Sequence, residues 1–69
     1  MFRPEDADRI HGALNELTPE LREVLVLRFI ESMSYEGIAL VAGCPVGTVR
    51  SRLHHAKRAL RRAVDRMGK

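Results

Sequence analysis

The sequence predicts an all-α fold: a compact four-helix domain, residues 1–69, whose last two helices form a helix-turn-helix of winged-helix-like layout without a wing. Three observations predict it. Phe2, Phe29 and Tyr35 are the only aromatic residues besides histidine in a chain of 69 residues, so the core must be built from Leu, Val, Ile and Ala. That mix suits short packed helices better than a strand-rich barrel. Apolar residues also recur at three- and four-residue spacing in separate segments, with Pro, Ser and Gly turn signals between them.

The first helix is expected from about Pro4 to Glu16. Pro in the first turn, with Glu5, Asp6 and Asp8 behind it, suits a helix N-terminus. Ile10, Ala13, Leu14 and Leu17 fall at i, i+3, i+4 and i+7, one apolar face. The second helix opens at Thr18-Pro19. Thr18 is placed to cap, and Pro19 fits the first helical position because its missing N–H would be unpaired there. Leu21, Val24, Leu25, Arg28 and Phe29 follow. The run Val24-Leu25-Val26-Leu27 is apolar on nearly every side. Period alone would allow a buried strand there, but the helical start signals and flanking charged residues favour helix. So wide an apolar arc predicts either a central core position or a partner.

The third helix is short, Ser34 to Ala42. Ser34 is its N-cap, and Ile38, Ala39, Val41 and Ala42 supply the expected buried face. Gly43 follows where a C-cap with positive φ is expected, and Cys44-Pro45 makes the turn. The fourth helix starts at Pro45 or Val46 and runs to about Arg66. Its stripe is Val49, Leu53, Ala56, Leu60, Val64 and Met67, opposite Arg50, His54, Lys57, Arg58, Arg61 and Arg62. The tail Gly68-Lys69 should fray.

Charge is divided along the chain. Residues 1–31 carry four Arg against seven acids, and residues 32–69 carry eight Lys or Arg against two. The halves are therefore −3 and +6, and the basic half invites a polyanion. A solvated helix face is the plainer reading of the same charges. One cysteine rules out an internal disulfide and a Cys-based zinc site, and a reducing, cytoplasmic setting is expected. The N-terminus does not read as a signal peptide, and no apolar run approaches the roughly 20 residues that span a bilayer.

Function is expected on the fourth helix. In a helix-turn-helix the second helix enters the major groove and its N-terminal residues meet base edges. Gly47 and Thr48, small residues at its start, let the backbone approach a phosphate, and first-turn amides attract that phosphate. Arg50 can pair bidentately with guanine. Ser51, His54 and His55 can bond bases or phosphates. Lys57 and Arg58, with Arg61 and Arg62, suit a phosphate-facing or solvated surface. Arg52 reads as structural, paired with an acid of another helix. Adjacent helical histidines diverge by about 100° and do not share a metal comfortably. His11 reads as a surface residue, and Cys44 as a small turn-packing residue. No catalytic residues, metal site, cofactor or small-molecule substrate is expected: the chain has no phosphate loop, ligand cluster or nucleophile–base pair.

The string Leu17-Thr18-Pro19, Arg22, Leu27-Arg28, Ser34-Tyr35-Glu36-Gly37-Ile38-Ala39, then Cys44-Pro45-Val46-Gly47-Thr48-Val49-Arg50-Ser51-Arg52-Leu53 and Ala56-Lys57-Arg58-Ala59-Leu60 resembles region 4 of bacterial sigma factors. It is most similar to the extracytoplasmic-function group, over about residues 12 to 64. The resemblance implies a transcription-initiation domain that binds the promoter −35 element as double-stranded DNA and docks on the β flap of RNA polymerase. In many members an anti-sigma factor covers these surfaces. By position, Arg50, Ser51, His54 and His55 would lie along the reading face, Tyr35 and Glu36 near backbone or bases, and Arg22 at a phosphate. For Arg28 a structural role is an equal alternative.

Some positions depart from the family pattern. The family usually has Glu where Gly37 stands, which would complete a capping box with Ser34. Gly37 removes it, at a propensity cost of about 1 kcal/mol. His55 stands where Arg is usual, which makes that contact weaker or pH-dependent. Region 2, which holds core polymerase and melts the −10 element, has no counterpart in these residues, so an excised domain or a stand-alone region-4 protein is expected. Two other readings compete: a domain chiefly bound by an anti-sigma factor or other regulator, and the output domain of a response regulator. The Ser-Tyr-Glu and Cys-Pro-Val-Gly-Thr-Val strings favour sigma over the last.

Overall fold

The computed structural model describes residues 4–67, and every regular element among them is helical. Helix α1 is Pro4–Asn15, α2 is Pro19–Leu25, α3 is Tyr35–Ala42 and α4 is Val46–Met67. A π-helical segment, Val26–Ile30, continues α2. The expected fraying of Gly68-Lys69, and the side chains of Glu5, Asp6 and Met67, lie outside what is described.

Helix α1 ends in a tightened turn, where Glu16 and Leu17 donate to the Ala13 and Leu14 carbonyls at 3.1 Å. That satisfies carbonyls the helix would otherwise leave open. Helix α2 starts as expected, with Pro19 in its first turn and Thr18 extended before it. The Thr18 carbonyl accepts from the Arg22 amide at 3.0 Å, but its side chain makes no cap hydrogen bond. Thr18 therefore holds the N-cap position through its backbone, and the expected hydroxyl cap is not formed.

The apolar run after Val24 is helical, but its winding changes. Within Val26–Ile30 the bonds close over five residues: the Glu31 amide donates to the Val26 carbonyl at 3.0 Å. The segment stops at Ser32, whose φ of 58° is left-handed, and the Met33 amide reaches back to the Leu27 carbonyl at 3.0 Å. Arg28 fixes this corner. Its guanidinium donates to the Met33 carbonyl at 2.9 Å and lies 5.2 Å from the Tyr35 ring centroid. Arg28 thus joins the end of the second helix to the start of α3.

Helix α3 is capped as its sequence demands. The Ser34 hydroxyl accepts from the Gly37 amide at 3.0 Å, and Gly43 closes the helix at φ 69°. The amides of Gly43 and Cys44 both donate to the Ala39 carbonyl, at 2.9 and 3.1 Å. One expectation fails here. Val41 is 57% exposed and its neighbour Leu40 85% exposed. A helix of eight residues turned about Ile38 covers only one narrow arc, and Val41 falls beyond its edge.

Ala13, Leu17, Val24, Leu25, Ile38, Val49, Leu53, Ala56 and Ala63 are buried, and α4 packs against α1, α2 and α3. The expected α4 stripe holds through Ala56. Beyond it, Ala63 is buried while Val64 and Leu60 are only half-buried. The stripe turns because α1 lies against this end: Leu17, Ala59 and Ala63 line one cleft, and small residues permit the approach. The ion pair between Arg66 and Glu16 closes the same seam. With both groups well exposed, it contributes no more than about 1 kcal/mol.

Candidate nucleic-acid interface

The start of α4 is set by Pro45. Its carbonyl accepts from the amides of Thr48 and Val49 at 3.0 and 3.1 Å, which leaves the amides of Val46 and Gly47 ahead of the first intrahelical bond. Gly47 is exposed, and a Cβ built on it meets no atom within 4 Å. The fold itself does not require glycine there.

With Val49, Leu53 and Ala56 buried, the 3.6-residue repeat assigns the other positions. Gly47, Ser51, His54 and Arg58 run along the middle of the outward face. Arg50 and Lys57, seven residues apart, run along the edge nearer the π segment. Thr48 and His55 take the opposite edge. Arg50, Ser51, His54, His55, Lys57 and Arg58 are all exposed, whereas Thr48 is half-buried. The His54 and His55 rings meet edge to face, with centroids 5.6 Å apart. Helix α4 carries seven basic residues against the single acid Asp65, a charge of +6 on 22 residues.

The remaining expected site residues lie outside α4. Arg22 is half-buried on α2. Tyr35 is half-buried against the core, with the Arg28 guanidinium over its ring, so its ring faces are largely engaged. Glu36 is exposed in the first turn of α3. An acid there suits the helix dipole but repels phosphate, which leaves it a base amino group as the fitting contact.

Arg52 is structural, but its contact differs from the expected acid. Its guanidinium donates to the Cys44 sulfur at 3.8 Å, bracing the turn between α3 and α4. Cys44 is half-buried against the core, as a turn-packing residue should be.

The apolar arc of the second helix, expected in the core or at a partner, opens in part onto the surface. Ile10, Leu14, Val26, Phe29, Ile30 and Leu60 line an open apolar groove of about 290 Å³ between α1, the π segment and α4. Phe29 and Ile30 are 58% and 67% exposed. Lys57 also lines the groove, with its ammonium 5.2 Å from the Phe29 ring centroid. The wide apolar arc in the sequence was the available signal, but it could not say which residues turn outward.

A short helix, α3, joined through a glycine-capped turn to a long basic helix, α4, defines the helix-turn-helix class. Residues 7–60 match the family model of sigma-70, region 4. The chain belongs to this family, and its likeness to the extracytoplasmic-function (ECF) group is borne out by the relatives that carry that name. It is 45% identical over 65 residues to RNA polymerase sigma-H factor of Pseudomonas aeruginosa, covering 94% of this chain and 34% of that protein. It is 43% identical over 60 residues to ECF RNA polymerase sigma-E factor of Escherichia coli, covering 87% and 31%. Against ECF RNA polymerase sigma factor SigE of Mycolicibacterium smegmatis it is 46% identical over 52 residues, covering 75% and 20%. The chain spans about a third or less of the length of these relatives.

Proposed function

We propose that this domain reads the −35 element of double-stranded promoter DNA in transcription initiation, as a non-enzymatic component acting in the cytoplasm. The observation that carries this reading is the outward side of α4: an unobstructed Gly47 at the helix start, Arg50 and Ser51 one turn on and His54 a turn beyond them, on a helix of charge +6. Arg50 pairs with guanine, and Ser51, His54 and His55 contact bases or phosphates. Lys57 and Arg58, beyond the first two turns, contact phosphate. Thr48, Arg22, Tyr35 and Glu36 form the border of the same footprint.

A second contact is with RNA polymerase. The apolar groove beside Phe29 and Ile30 supports docking of the β flap, and an anti-sigma factor would cover the same surface. Membership of the sigma family sets aside the response-regulator reading.

The test is fluorescence-anisotropy selection from a duplex pool at two salt concentrations. Enrichment of a short −35-like motif that Arg50→Ala abolishes, at a cost of about 1–3 kcal/mol, is the expected result. If cognate and scrambled duplexes lose equal affinity, Arg50 is not a base reader. Sequence-blind binding throughout would move the domain's role to the groove and its protein partners.

A further inference from the structure

The contact between Lys57 and Phe29 joins two surfaces that the fold otherwise keeps apart. Lys57 belongs to α4, seven residues after Arg50 and on the same edge of the basic face. Its ammonium, however, is drawn to the Phe29 ring, 5.2 Å from the centroid, and it lines the apolar groove. Phe29 lies on the π segment, whose wider turn leaves both Phe29 and Ile30 well exposed. A lysine on a four-carbon stem has ample reach to leave the ring for a phosphate, so the two positions compete.

We propose that Phe29 acts as an intramolecular brake on DNA binding, holding the Lys57 ammonium over its ring and away from the DNA backbone. This rests on the reading of α4 as the DNA-facing helix. The two contacts are of similar strength. An exposed cation–π contact is modest and comparable to one ammonium–phosphate contact, so the brake lowers affinity by a small factor rather than blocking it. Because Phe29 also walls the groove, the pair couples groove and reading helix through one side chain.

The experiment is a salt titration of the whole chain against a 20-base-pair duplex pool of random sequence, since a phosphate contact is sequence-independent. The wild type, Phe29→Leu, Lys57→Gln and the double variant are compared, and thermal unfolding by circular dichroism confirms that each folds. Phe29 is more than half exposed, so leucine leaves the core intact. Phe29→Leu should bind about two- to fivefold tighter at low salt, the worth of the released stack. Its plot of log affinity against log salt should steepen by a fraction of about 0.9, the slope of one whole phosphate contact, because the wild-type ammonium divides its time between ring and phosphate. Lys57→Gln should cost more in the Phe29→Leu background than in the wild type, by that same factor. Tighter binding that survives in the double variant, or no change with Phe29→Leu, would overturn the brake while leaving DNA reading intact. A wild type with no salt-dependent DNA binding would instead overturn the DNA-reading account and the brake with it.

Discussion

Gly47→Ala separates the demands of the fold from those of DNA. In the free protein an added Cβ at Gly47 meets nothing within 4 Å, and the residue lies in the first turn of α4. Alanine should therefore leave stability unchanged or raise it, by at most about 1 kcal/mol on helix propensity. On DNA bound as proposed, the same methyl group would stand between the first-turn amides and the phosphate they approach. Losing one hydrogen bond to a charged acceptor costs about 1.5–3 kcal/mol, which is roughly ten- to 150-fold in affinity. The assay pairs urea denaturation with anisotropy on the selected duplex. Alanine should match or exceed the wild-type midpoint and bind at least about tenfold more weakly. Wild-type affinity in the alanine variant would refute the close approach at Gly47, and with it the reason for glycine there.

The other predictions address the frame of the site. Gly43 adopts φ 69°, so Gly43→Ala should cost about 1–2 kcal/mol in urea denaturation although its Cβ meets no neighbour. A cost near zero would mean that the turn can adopt another path. Leu25 is 5% exposed, so Leu25→Glu should abolish cooperative unfolding. Ile30→Glu, at a position 67% exposed, should fold normally and lose capture of the polymerase β flap. Flap capture at wild-type strength by Ile30→Glu would remove the groove from the docking surface.

The frame was readable where one residue type has one physical use. Ser34 caps α3, Gly43 takes a left-handed φ, Pro19 opens α2, and the α4 stripe sets its buried face from Val49 to Ala56, all as expected. The π winding of Val26–Ile30 is not readable, because a run of apolar residues broken only by Arg28 has too little period to reveal its pitch. Periodicity likewise names the apolar residues of α3 without saying which of them a neighbour covers, so Val41, expected inside, lies outside. Ala63 carries too weak a hydrophobic signal to be chosen over Val64. Its burial follows from the approach of α1, which is tertiary information.

The candidate site divides in the same way. Arg50, Ser51, His54, His55, Lys57 and Arg58 could be assigned to the outward side of α4 by spacing alone, and all six are exposed. The Arg52 contact with Cys44 and the Lys57 stack on Phe29 depend on chain segments meeting in space. No local pattern announces them. Arg28 shows the limit most clearly: its residue type alone suits a phosphate contact or a structural role, and its hydrogen bond to the Met33 carbonyl and its place over the Tyr35 ring assign it to the structure.

The most direct test of DNA reading is an amide chemical-shift titration of the isotope-labelled chain with the selected duplex. The account predicts the largest changes at Val46 to Arg58, strongest at Gly47, Arg50 and Ser51, with smaller ones at Arg22 and Tyr35. Changes concentrated at Ile10, Phe29 and Ile30, with the start of α4 silent, would contradict it.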